Sequence, residues 1–381
     1  MKKLIYTFAA FLLLSCAEKV SYNQLITVDF NAKYPEKELL LQDIADVEYV
    51  RLETTDTFLL GRSVRLGFCN DEYIIIADYQ SSAIVIYDRK GNPVSYFSRK
   101  GQSHEEWVNI SSAFYDPYRD EVFVIEIFPS KIKVYDKKGK FKRGKDLPSR
   151  TDGLTVVDFD GDNLLLCETM RSFSIEDKEP VAKTDSISYY MISKNDIAVT
   201  DSFNIKVPKK VSPAIIHSET TNGQQYVYVM LYSYPHVVKS KNGFVISEIS
   251  SDTIYRLNSE LQMTPYIVRT PSVGAYEYLT SLSFALDRPD FMLLRLLNME
   301  GKDDNFLNHE KYLFYDKKSG LISDYKFVNA DYPDLKNAGI DDEHQISKTG
   351  EYIYGFLQAS DLLEALEAGK LKGKLKEIAS Q

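Results

Sequence analysis

The sequence lacks an excess of basic residues, and this absence bears on its partners. Its 381 residues contain 46 Lys and Arg against 55 Asp and Glu, which gives a formal net charge of −9 at pH 7. A surface that binds nucleic acid needs a broad positive field to attract phosphate groups. We therefore expect no nucleic-acid partner.

The motifs that mark common catalytic sites are also missing. There is no G-x-S-x-G, Cys-x-x-Cys or P-loop, and no S-x-D-x-G-x-x-W box of the sialidase propellers. The segment "HEEWV" (104–108) begins like a zinc-protease motif, but Val108 stands where the second His is needed. The segment "DFDGDN" (158–163) lacks the distal Glu of a calcium loop and is better interpreted as a hairpin turn. These motifs predict no catalytic residue, no metal site and no cofactor.

The N-terminus carries a short hydrophobic run that predicts export. The segment "MKKLIYTFAAFLLLSC" (1–16) combines a basic start with apolar residues over 4–14 and a small residue before Cys16, which is the layout of a secretory signal. The run is too short to span a bilayer as a mature helix. "LLSC" resembles the lipobox of bacterial lipoproteins, which implies a signal over 1–15, a lipid on Cys16 and a linker over 16–22. An ordinary cleaved signal is the alternative.

The residue after the lipobox Cys bears on the membrane that holds the anchor. Ala17 follows Cys16, whereas lipoproteins retained at the inner membrane typically carry Asp at this place. We therefore expect a cell-envelope lipoprotein of the outer membrane, on either of its two sides, with acyl chains as a durable anchor.

Six apolar runs, each introduced by a short polar turn, recur along the chain. Asn, Asp and Gly before runs rich in Ile, Val, Tyr and Phe are hairpin signals. The Leu-rich run at 288–295 is compatible with a helix as well as a strand. The six segments are "NDEYIIIA" (70–77), "RDEVFVIE" (119–126), "GDNLLLCE" (161–168), "KNGFVISE" (241–248), "RPDFMLLR" (288–295) and "TGEYIYGF" (349–356).

Five of these runs are followed by a second strand that ends in a polar turn: "AIVIYDRKGN", "KIKVYDKKGK", "SYYMISKND", "DTIYRLNSE" and "YLFYDKKSG". Each of these is followed by a further apolar segment. This unit predicts a four-stranded antiparallel sheet, and radial repetition of such sheets makes a β-propeller. The six introducing turns predict an all-β fold, a six-bladed β-propeller over 23–366.

The two ends of the chain are expected to complete the ring. The sixth repeat has no second-strand phrase, so we predict that "NQLITVDF" (23–30) and "DVEYVRLE" (46–53) supply the missing strands of its sheet. The segment "ASDLLEALEAG" (359–369) predicts a short helix that starts near Ser360 or Asp361 and stops at Gly369. The basic tail over 367–381 is predicted to be solvated and frayed, with a membrane contact as the alternative.

One repeat carries a family resemblance. The phrase "IIIADYQSSAIVIYDRKGNPVSYF" (74–97) looks like an NHL-type blade, with its acid, apolar pair, aromatic-Asp turn and Gly. Together with the lipobox and "YFSRKGQSHEEW" (96–107), it makes the chain similar to the six-bladed β-propeller lipoproteins of Gram-negative gut-type bacteria. The resemblance covers about residues 40–366 and implies the fold and an envelope location. It implies no activity, since most such proteins have none assigned.

Three acids and two cysteines inside the repeats are interpreted as structural residues. Asp78, Glu126 and Glu248 fall at the end of the second strand of their blades and are expected to accept hydrogen bonds from backbone N–H groups of the next turn. The alternative is a ring of catalytic or metal-binding acids. Cys69 and Cys167 lie in apolar segments of different repeats and are interpreted as buried free thiols, with a disulfide as the alternative.

The loop lengths predict two different faces. If the strands of each blade are named A to D, the A–B and C–D turns emerge on one face, which we call the trim face because its turns are short. The B–C turns and the D–A links between blades emerge on the other, which we call the elaborated face. Its long segments are 100–112, 169–186, 207–225, 270–281, 298–310 and 329–344.

Function is predicted to lie on the elaborated face, because binding residues gather on loops held by a rigid scaffold. Aromatic rings with nearby amides and acids suit sugars or peptides. The alternative is that these side chains pack the loops together, and for Trp107 packing is the preferred interpretation. The candidate ligand-binding residues are His104, Glu106, Trp107, Phe173, His217, Tyr276, Tyr278, Phe306 and His309.

Two function classes remain open from the sequence. The first is a non-catalytic module that binds a glycan, a peptide or a partner protein of the envelope. The second is a hydrolase or lyase with its site at the mouth of the central channel, which would bring acids and His from at least three blades within about 4–6 Å. No such set is visible in the sequence, so we prefer the binding module.

Overall fold

The computed structural model describes residues 25–381 except 57, 62, 127–129, 148–153, 169–172, 177–178, 183–188, 212–213, 222–223, 232–235, 242, 301–306 and 341–351. The predicted signal and the predicted lipid site at Cys16 therefore lie outside the described residues, as does Phe306. Strands and helices are numbered in chain order.

The first elements are two short strands and one helical turn. They are β1 (Ile26–Asp29), β2 (Glu36–Leu40) and α1 (Leu41–Ile44).

Four-stranded antiparallel sheets then follow one another along the chain. Blade 1 contains β3 (Val64–Cys69), β4 (Tyr73–Asp78), β5 (Ala83–Asp88) and β6 (Pro93–Ser98). Blade 2 contains β7 (Ser112–Asp116), β8 (Glu121–Glu126), β9 (Lys131–Tyr135) and β10 (Phe141–Asp146). Blade 3 contains β11 (Leu154–Asp158), β12 (Asn163–Glu168), β15 (Tyr189–Ser193) and β16 (Val199–Phe203).

Two further blades complete the described sheets, together with two inserted hairpins. The hairpins are β13 (Phe173–Glu176) with β14 (Glu179–Ala182), and β17 (Ala214–Thr221) with β18 (Gln224–Leu231). Blade 4 contains β19 (Val237–Ser240), β20 (Gly243–Ile246), β21 (Thr253–Leu257) and β22 (Met263–Thr270). Blade 5 contains β23 (Thr280–Asp287), β24 (Phe291–Glu300), β25 (Leu307–Asp316) and β26 (Ile322–Val328).

The protein is an all-β propeller with five blades among its described residues, so the prediction of six blades is wrong. The first five introducing turns lead into the B strands β4, β8, β12, β20 and β24, and the second-strand phrases form the C strands. The ambiguous Leu-rich run is the strand β24. The sixth run, "TGEYIYGF", forms no blade, and its described residues 352–356 lie outside every strand.

A C-terminal segment occupies the place where the sequence predicts a sixth blade. Ile353 packs against the apolar cluster of blade 5, which includes Phe291 and Leu293, while Phe356 packs against blade 1. The Tyr354 hydroxyl lies 3.3 Å from the backbone nitrogen of Leu66 and accepts its hydrogen bond. The described residues 353–356 therefore contact both blade 5 and blade 1. The sequence offers no second-strand phrase with which this segment could pair.

The N-terminal strands do not build a sixth blade either, which corrects the predicted ring closure. β1 adds to the outer strand β22 of blade 4 and β2 adds to the outer strand β26 of blade 5, both in parallel. The segment 46–53 is not a strand. Its Val50 and Leu52 pack on the apolar side of blade 1, and the Glu53 N–H donates to the Gly91 carbonyl at 2.9 Å.

The C-terminal tail is more structured than predicted. Helix α2 (Ala359–Glu367) begins one residue before Ser360 and ends close to Gly369, which has the left-handed φ of +69° expected of a helix stop. The tail then forms a second helix, α3 (Gly373–Ala379), with Leu375 buried. Both helices pack against Tyr49 of the N-terminal segment. In the described part of the chain, neither these helices nor any other is long and apolar enough to cross a bilayer.

The hydrophobic core is divided among the interfaces between consecutive blades. Separate clusters lie between blades 1 and 2, 2 and 3, 3 and 4, and 4 and 5. The B and C strands are almost wholly buried because a neighbouring blade covers each face, as in the fully buried strand β8. This double coverage explains why these strands are continuous apolar runs in the sequence.

Trim-face turns connect neighbouring blades through charged and polar groups. Lys194 is buried in the C–D turn of blade 3, with its Nζ 2.9 Å from Asp116 Oδ2 and 2.7 Å from Asp158 Oδ1. Asp116 ends strand A of blade 2 and Asp158 ends strand A of blade 3, so one ammonium group joins the two blades. Between blades 4 and 5, the Ser240 hydroxyl donates to Asp287 Oδ2 at 2.7 Å.

The two cysteines within the propeller are free thiols in different blades, as predicted. Cys167 is fully buried in blade 3, and burial raises the pKa of its thiol well above the usual value. Cys69 is only half-buried in blade 1, where its Sγ lies 3.0 Å from a guanidinium nitrogen of Arg89.

Candidate functional site

The long segments lie on the elaborated face, as predicted. The A–B turns of the five blades have two to four residues and the C–D turns have four or five. The two inserted hairpins, by contrast, lie in the B–C connection of blade 3 and in the link from blade 3 to blade 4. Insertions are therefore segregated to one end of the strands.

The acids at the ends of the B strands bind backbone groups of the turns, which confirms their predicted role. Asp78 Oδ1 accepts from the N–H groups of Gln80 (2.9 Å) and Ser81 (3.2 Å). Glu248 Oε1 accepts from the Ser250 N–H at 3.2 Å. Both carboxylates are buried.

Glu126 binds the link from blade 1 to blade 2, while residues 127–129 of its own next turn lie outside the described residues. It is buried, its Oε1 accepts from the Val108 N–H at 2.6 Å, and its Oε2 lies 3.1 Å from Lys133 Nζ. Among the residues that the structure describes, no three His, Cys, Asp or Glu side chains are grouped as metal ligands.

The link from blade 1 to blade 2 folds into the groove between these blades. Trp107 is completely buried there, with its ring 5.1 Å from that of Tyr135 and its Nε1 donating to the Ser82 carbonyl at 3.2 Å. The Tyr135 hydroxyl in turn donates to the Glu105 carbonyl at 2.8 Å. Trp107 is therefore a core residue, which corrects its place among the ligand-binding candidates and supports the packing interpretation.

His104 and Glu106 lie on the same link and stay nearer to solvent. The exposed His104 ring meets the edge of Phe141, with centroids 5.2 Å apart at 79°. Glu106 Oε2 accepts from the Ser103 N–H at 3.1 Å, and the Ser103 hydrogen bonds hold the pKa of this carboxyl below its usual value. Glu106 thus stabilises the loop in which it lies, through its bond to Ser103.

Three further candidates lie in paired strands, for which the structure gives the backbone register. Phe173 pairs with Ala182 in the first hairpin, and His217 pairs with Tyr228 in the second. His309 pairs with Asn298 in blade 5. Their predicted ligand contacts stay predictions, as does that of Phe306.

Tyr276 and Tyr278 are the candidates that the structure brings together. They lie on the link from blade 4 to blade 5, just after the 3₁₀ turn Val273–Ala275, with ring centroids 5.4 Å apart at 52°. Both residues are half-buried, so part of each side chain is accessible to solvent. The Tyr276 hydroxyl lies 3.3 Å from Asn31 Oδ1, which places a side-chain amide beside the rings.

A buried arginine lies next to the Tyr276 ring. The Arg269 guanidinium lies over the Phe30 ring at 3.6 Å and 5.6 Å from the Tyr276 centroid. It donates to the Thr280 hydroxyl at 2.8 Å and to the Pro271 carbonyl at 3.1 Å, and burial lowers its pKa to about 10. The guanidinium is therefore still charged at neutral pH, and its fixed bonds hold the link in place.

The B–C turn of blade 4 fastens the other side of the same link. Asp252 Oδ1 accepts from the Val273 N–H at 2.6 Å, and the Asp252 carbonyl accepts from the Arg269 N–H at 2.9 Å. Burial raises the pKa of Tyr276, although the positive charge of Arg269 acts to lower it. The phenol therefore stays protonated and donates to Asn31 Oδ1. We call Phe30, Asn31, Arg269, Tyr276 and Tyr278 the aromatic site.

The aromatic site offers two half-buried tyrosines on a fixed link, with the Asn31 amide beside them. Such a surface stacks against the apolar face of a sugar or a proline ring, while its polar groups orient the ligand. Sequence reasoning finds both tyrosines from their place in a long link. It misses Phe30 and Asn31, because only the parallel addition of β1 to blade 4 brings the N-terminal segment to this link. It also misses Arg269, because the strand position of this residue does not show that its side chain lies between Phe30 and the link.

The sequence matches a family model over residues 25–381, described as "Domain of unknown function (DUF4934)". The match covers nearly the whole chain, and the chain belongs to this family. Among curated proteins there is no match.

Two solved structures are similar to this chain at low sequence identity. A "Putative exported protein" from Bacteroides fragilis aligns over 94% of this chain and 95% of its own, with a TM-score of 0.56 and 16% identity. A member of the DUF4221 family from Bacteroides vulgatus aligns over 74% of this chain and 88% of its own, with a TM-score of 0.41 and 8% identity. The first likeness supports the propeller fold, and neither assigns a ligand.

Proposed function

We propose that this member of the DUF4934 family is a non-catalytic binding module of the cell envelope that holds a glycan or a peptide on its aromatic site. The observation that carries the proposal is the Tyr276–Tyr278 pair, half-exposed on a link that Arg269 and Asp252 fix in place. A preorganised aromatic surface binds without the entropy loss of ordering a flexible loop. The buried acids of the B strands, which bind turn N–H groups, favour binding over hydrolysis.

Location in the envelope is the second part of the proposal. The secretory layout of residues 1–16 and the Cys in the lipobox place support a lipid anchor, on the outer membrane by the argument from Ala17. The description of the Bacteroides fragilis protein as exported agrees with this location. Cys16→Ser should release the protein from the membrane fraction, while Cys69→Ser should not. An unacylated mature N-terminus in mass spectrometry would contradict the anchor.

The binding proposal is tested with glycan and peptide arrays, followed by titration of any hit. Tyr278→Ala and Tyr276→Ala should each weaken binding by about thirtyfold, since loss of an aromatic anchor costs about 2 kcal/mol. Tyr276→Phe keeps the ring and should lose much less. Matched controls on the trim face are Lys90→Ala and Lys318→Ala, two exposed turn lysines. Equal losses from both faces would refute the proposed site.

A further inference from the structure

The outer part of blade 2 concentrates positive charge in an acidic protein. Residues 131–146, "KIKVYDKKGKFKRGKD", contain eight Lys and Arg against two Asp, while the whole chain has a net charge of −9. Several of these cations are held by carboxylates, such as Lys142 and Arg143, which share Glu121. Lys138, Lys140 and Lys145 are exposed and have no ion pair with any carboxylate of the described residues.

This charge flanks a strand edge that nothing in the described chain covers. β10 is the outermost strand of blade 2, and its sheet ends there in the described part of the protein. Lys142, Gly144, Lys145 and Asp146 of this strand are exposed. An unpaired edge presents a row of N–H and C=O groups to which an extended peptide can add as a further strand.

The same chain shows how such an edge is covered. The outer strands of blades 4 and 5 each receive a fifth, parallel strand from the N-terminal segment. The strand added to blade 5 is the acidic "EKELL" of β2, in which Glu38 lies opposite Lys326 of β26. Glu38 Oε1 and Lys326 Nζ are 2.8 Å apart, so backbone pairing and charge pairing act together.

We propose that the outer edge of blade 2 is a docking site for an extended acidic segment of a partner protein, which adds to β10 as a fifth strand. The cations of 138–145 supply charge complementarity, and β2 on blade 5 supplies the geometry. The six residues of β10 offer about 20 Å of edge, which matches a segment of about six residues. The outer strands of blades 1 and 3, "PVSYFS" and "VTDSF", contain no Lys or Arg and lack this complementarity.

The proposal is tested on the full chain with capped ten-residue fluorescent peptides. One probe alternates Glu and Val, and its control alternates Lys and Val. Two further Glu–Val probes carry N-methyl groups on either the odd or the even residues, which removes the backbone donors of one edge at a time. The protein variants are Lys140→Glu with Lys145→Glu and, as a matched charge change on exposed lysines elsewhere, Lys370→Glu with Lys374→Glu.

We expect saturable binding of the Glu–Val probe and at least a tenfold loss with the Lys140/Lys145 pair, but less than twofold with the Lys370/Lys374 pair. One of the two N-methylated probes should also lose at least tenfold, because only one edge of the added strand bonds to β10. Thermal melting of both variant pairs should match the parent chain, since all four lysines are exposed.

Several results would overturn the proposal. Equal binding of both N-methylated probes would show side-chain attraction without strand addition. No saturable binding of the Glu–Val probe up to about 1 mM would exclude the acidic segment. Binding to phosphatidylglycerol vesicles that depends on Lys140 and Lys145, without peptide binding, would assign the edge to an anionic membrane surface instead. Since the aromatic site lies between blades 4 and 5, loss of its binding leaves this test unaffected.

Discussion

The trim face and the elaborated face both fix turns with carboxylates that accept backbone N–H groups, but they differ in what these turns connect. On the trim face, aspartates fix short turns by accepting backbone N–H groups, as Asp88 does from Lys90 and Asn92. Buried Lys194 then joins two blades there. On the elaborated face, Arg269 and Asp252 hold a longer link whose tyrosines stay accessible. The trim-face contacts join neighbouring blades, whereas the elaborated-face contacts hold a link that presents two tyrosines.

The strongest test of this difference is the trim-face ion pair. Lys194→Met should destabilise the protein by about 3–5 kcal/mol, because it leaves Asp116 and Asp158 without their buried counter-charge. Equilibrium unfolding in urea measures the loss. Lys90→Met changes an exposed lysine of another C–D turn and should have almost no effect. A loss below about 1 kcal/mol for Lys194→Met would mean that the trim face does not hold the blades together.

The second test asks whether the link from blade 1 to blade 2 is core or binding surface. Trp107→Ala should cost about 3–5 kcal/mol, because it empties a fully buried site between Phe97 and Tyr135. Tyr278→Ala on the other link should cost much less stability while weakening ligand binding. Thermal melting of both variants measures the difference. Similar melting temperatures would contradict the division between a packed link and a binding link.

A third test uses pH and concerns a buried histidine at the elaborated end of blade 4. Burial lowers the pKa of His236 from its usual 6.5 to about 3. Between these two pKa values, His236 is protonated in the unfolded chain and neutral in the folded chain. The stability of the folded chain is therefore unaffected by this group above pH 6.5 and decreases as pH falls toward 3. Between pH 7 and 5 the loss is about 2 kcal/mol.

The matched variant for this pH test is His236→Gln, which cannot titrate. The stability difference between it and the parent chain should change by about 2 kcal/mol between pH 7 and 5, measured by urea unfolding at each pH. A difference that is independent of pH would contradict the lowered pKa of His236 in the folded chain.

The smallest expected effect concerns a single trim-face turn. Asp316 Oδ1 accepts from the N–H groups of Lys318 (2.8 Å) and Ser319 (3.1 Å), and these bonds hold its pKa below the usual value. Asp316→Ala should lower the stability slightly, whereas Asp316→Asn keeps an acceptor and should lower it less. Chemical denaturation of the two variants makes the comparison. Equal losses would show that charge, and not hydrogen bonding, stabilises the turn.

The sequence predicts the repeating unit well because each blade needs the same local features. The polar turns, the apolar B strands and the second-strand phrases are all short-range patterns, and five of each form the blades. The count of six is wrong because "TGEYIYGF" has the introducing turn without the strand that would pair with it. The five second-strand phrases are the better guide to the number of blades.

The candidate site is less predictable because its parts come from distant segments. Tyr276 and Tyr278 are found from loop length alone, but Phe30 reaches them only after β1 has joined blade 4. Trp107 illustrates the opposite error, since a long connection can be packed between blades as easily as it can face solvent. Burial of a loop depends on long-range contacts that spacing within one segment does not encode.

The direction of β1 has a consequence for the proposed lipid anchor. β1 runs parallel to β22 from Ile26 to Asp29, and its last residue leads into the aromatic site through Phe30. Its N-terminal end therefore points away from the elaborated face. If Cys16 carries the proposed lipid, the nine residues before Leu25 form a tether of at most about 30 Å. Such a tether would keep the propeller close to the bilayer and let the aromatic site face outward, toward ligands that arrive from the aqueous side.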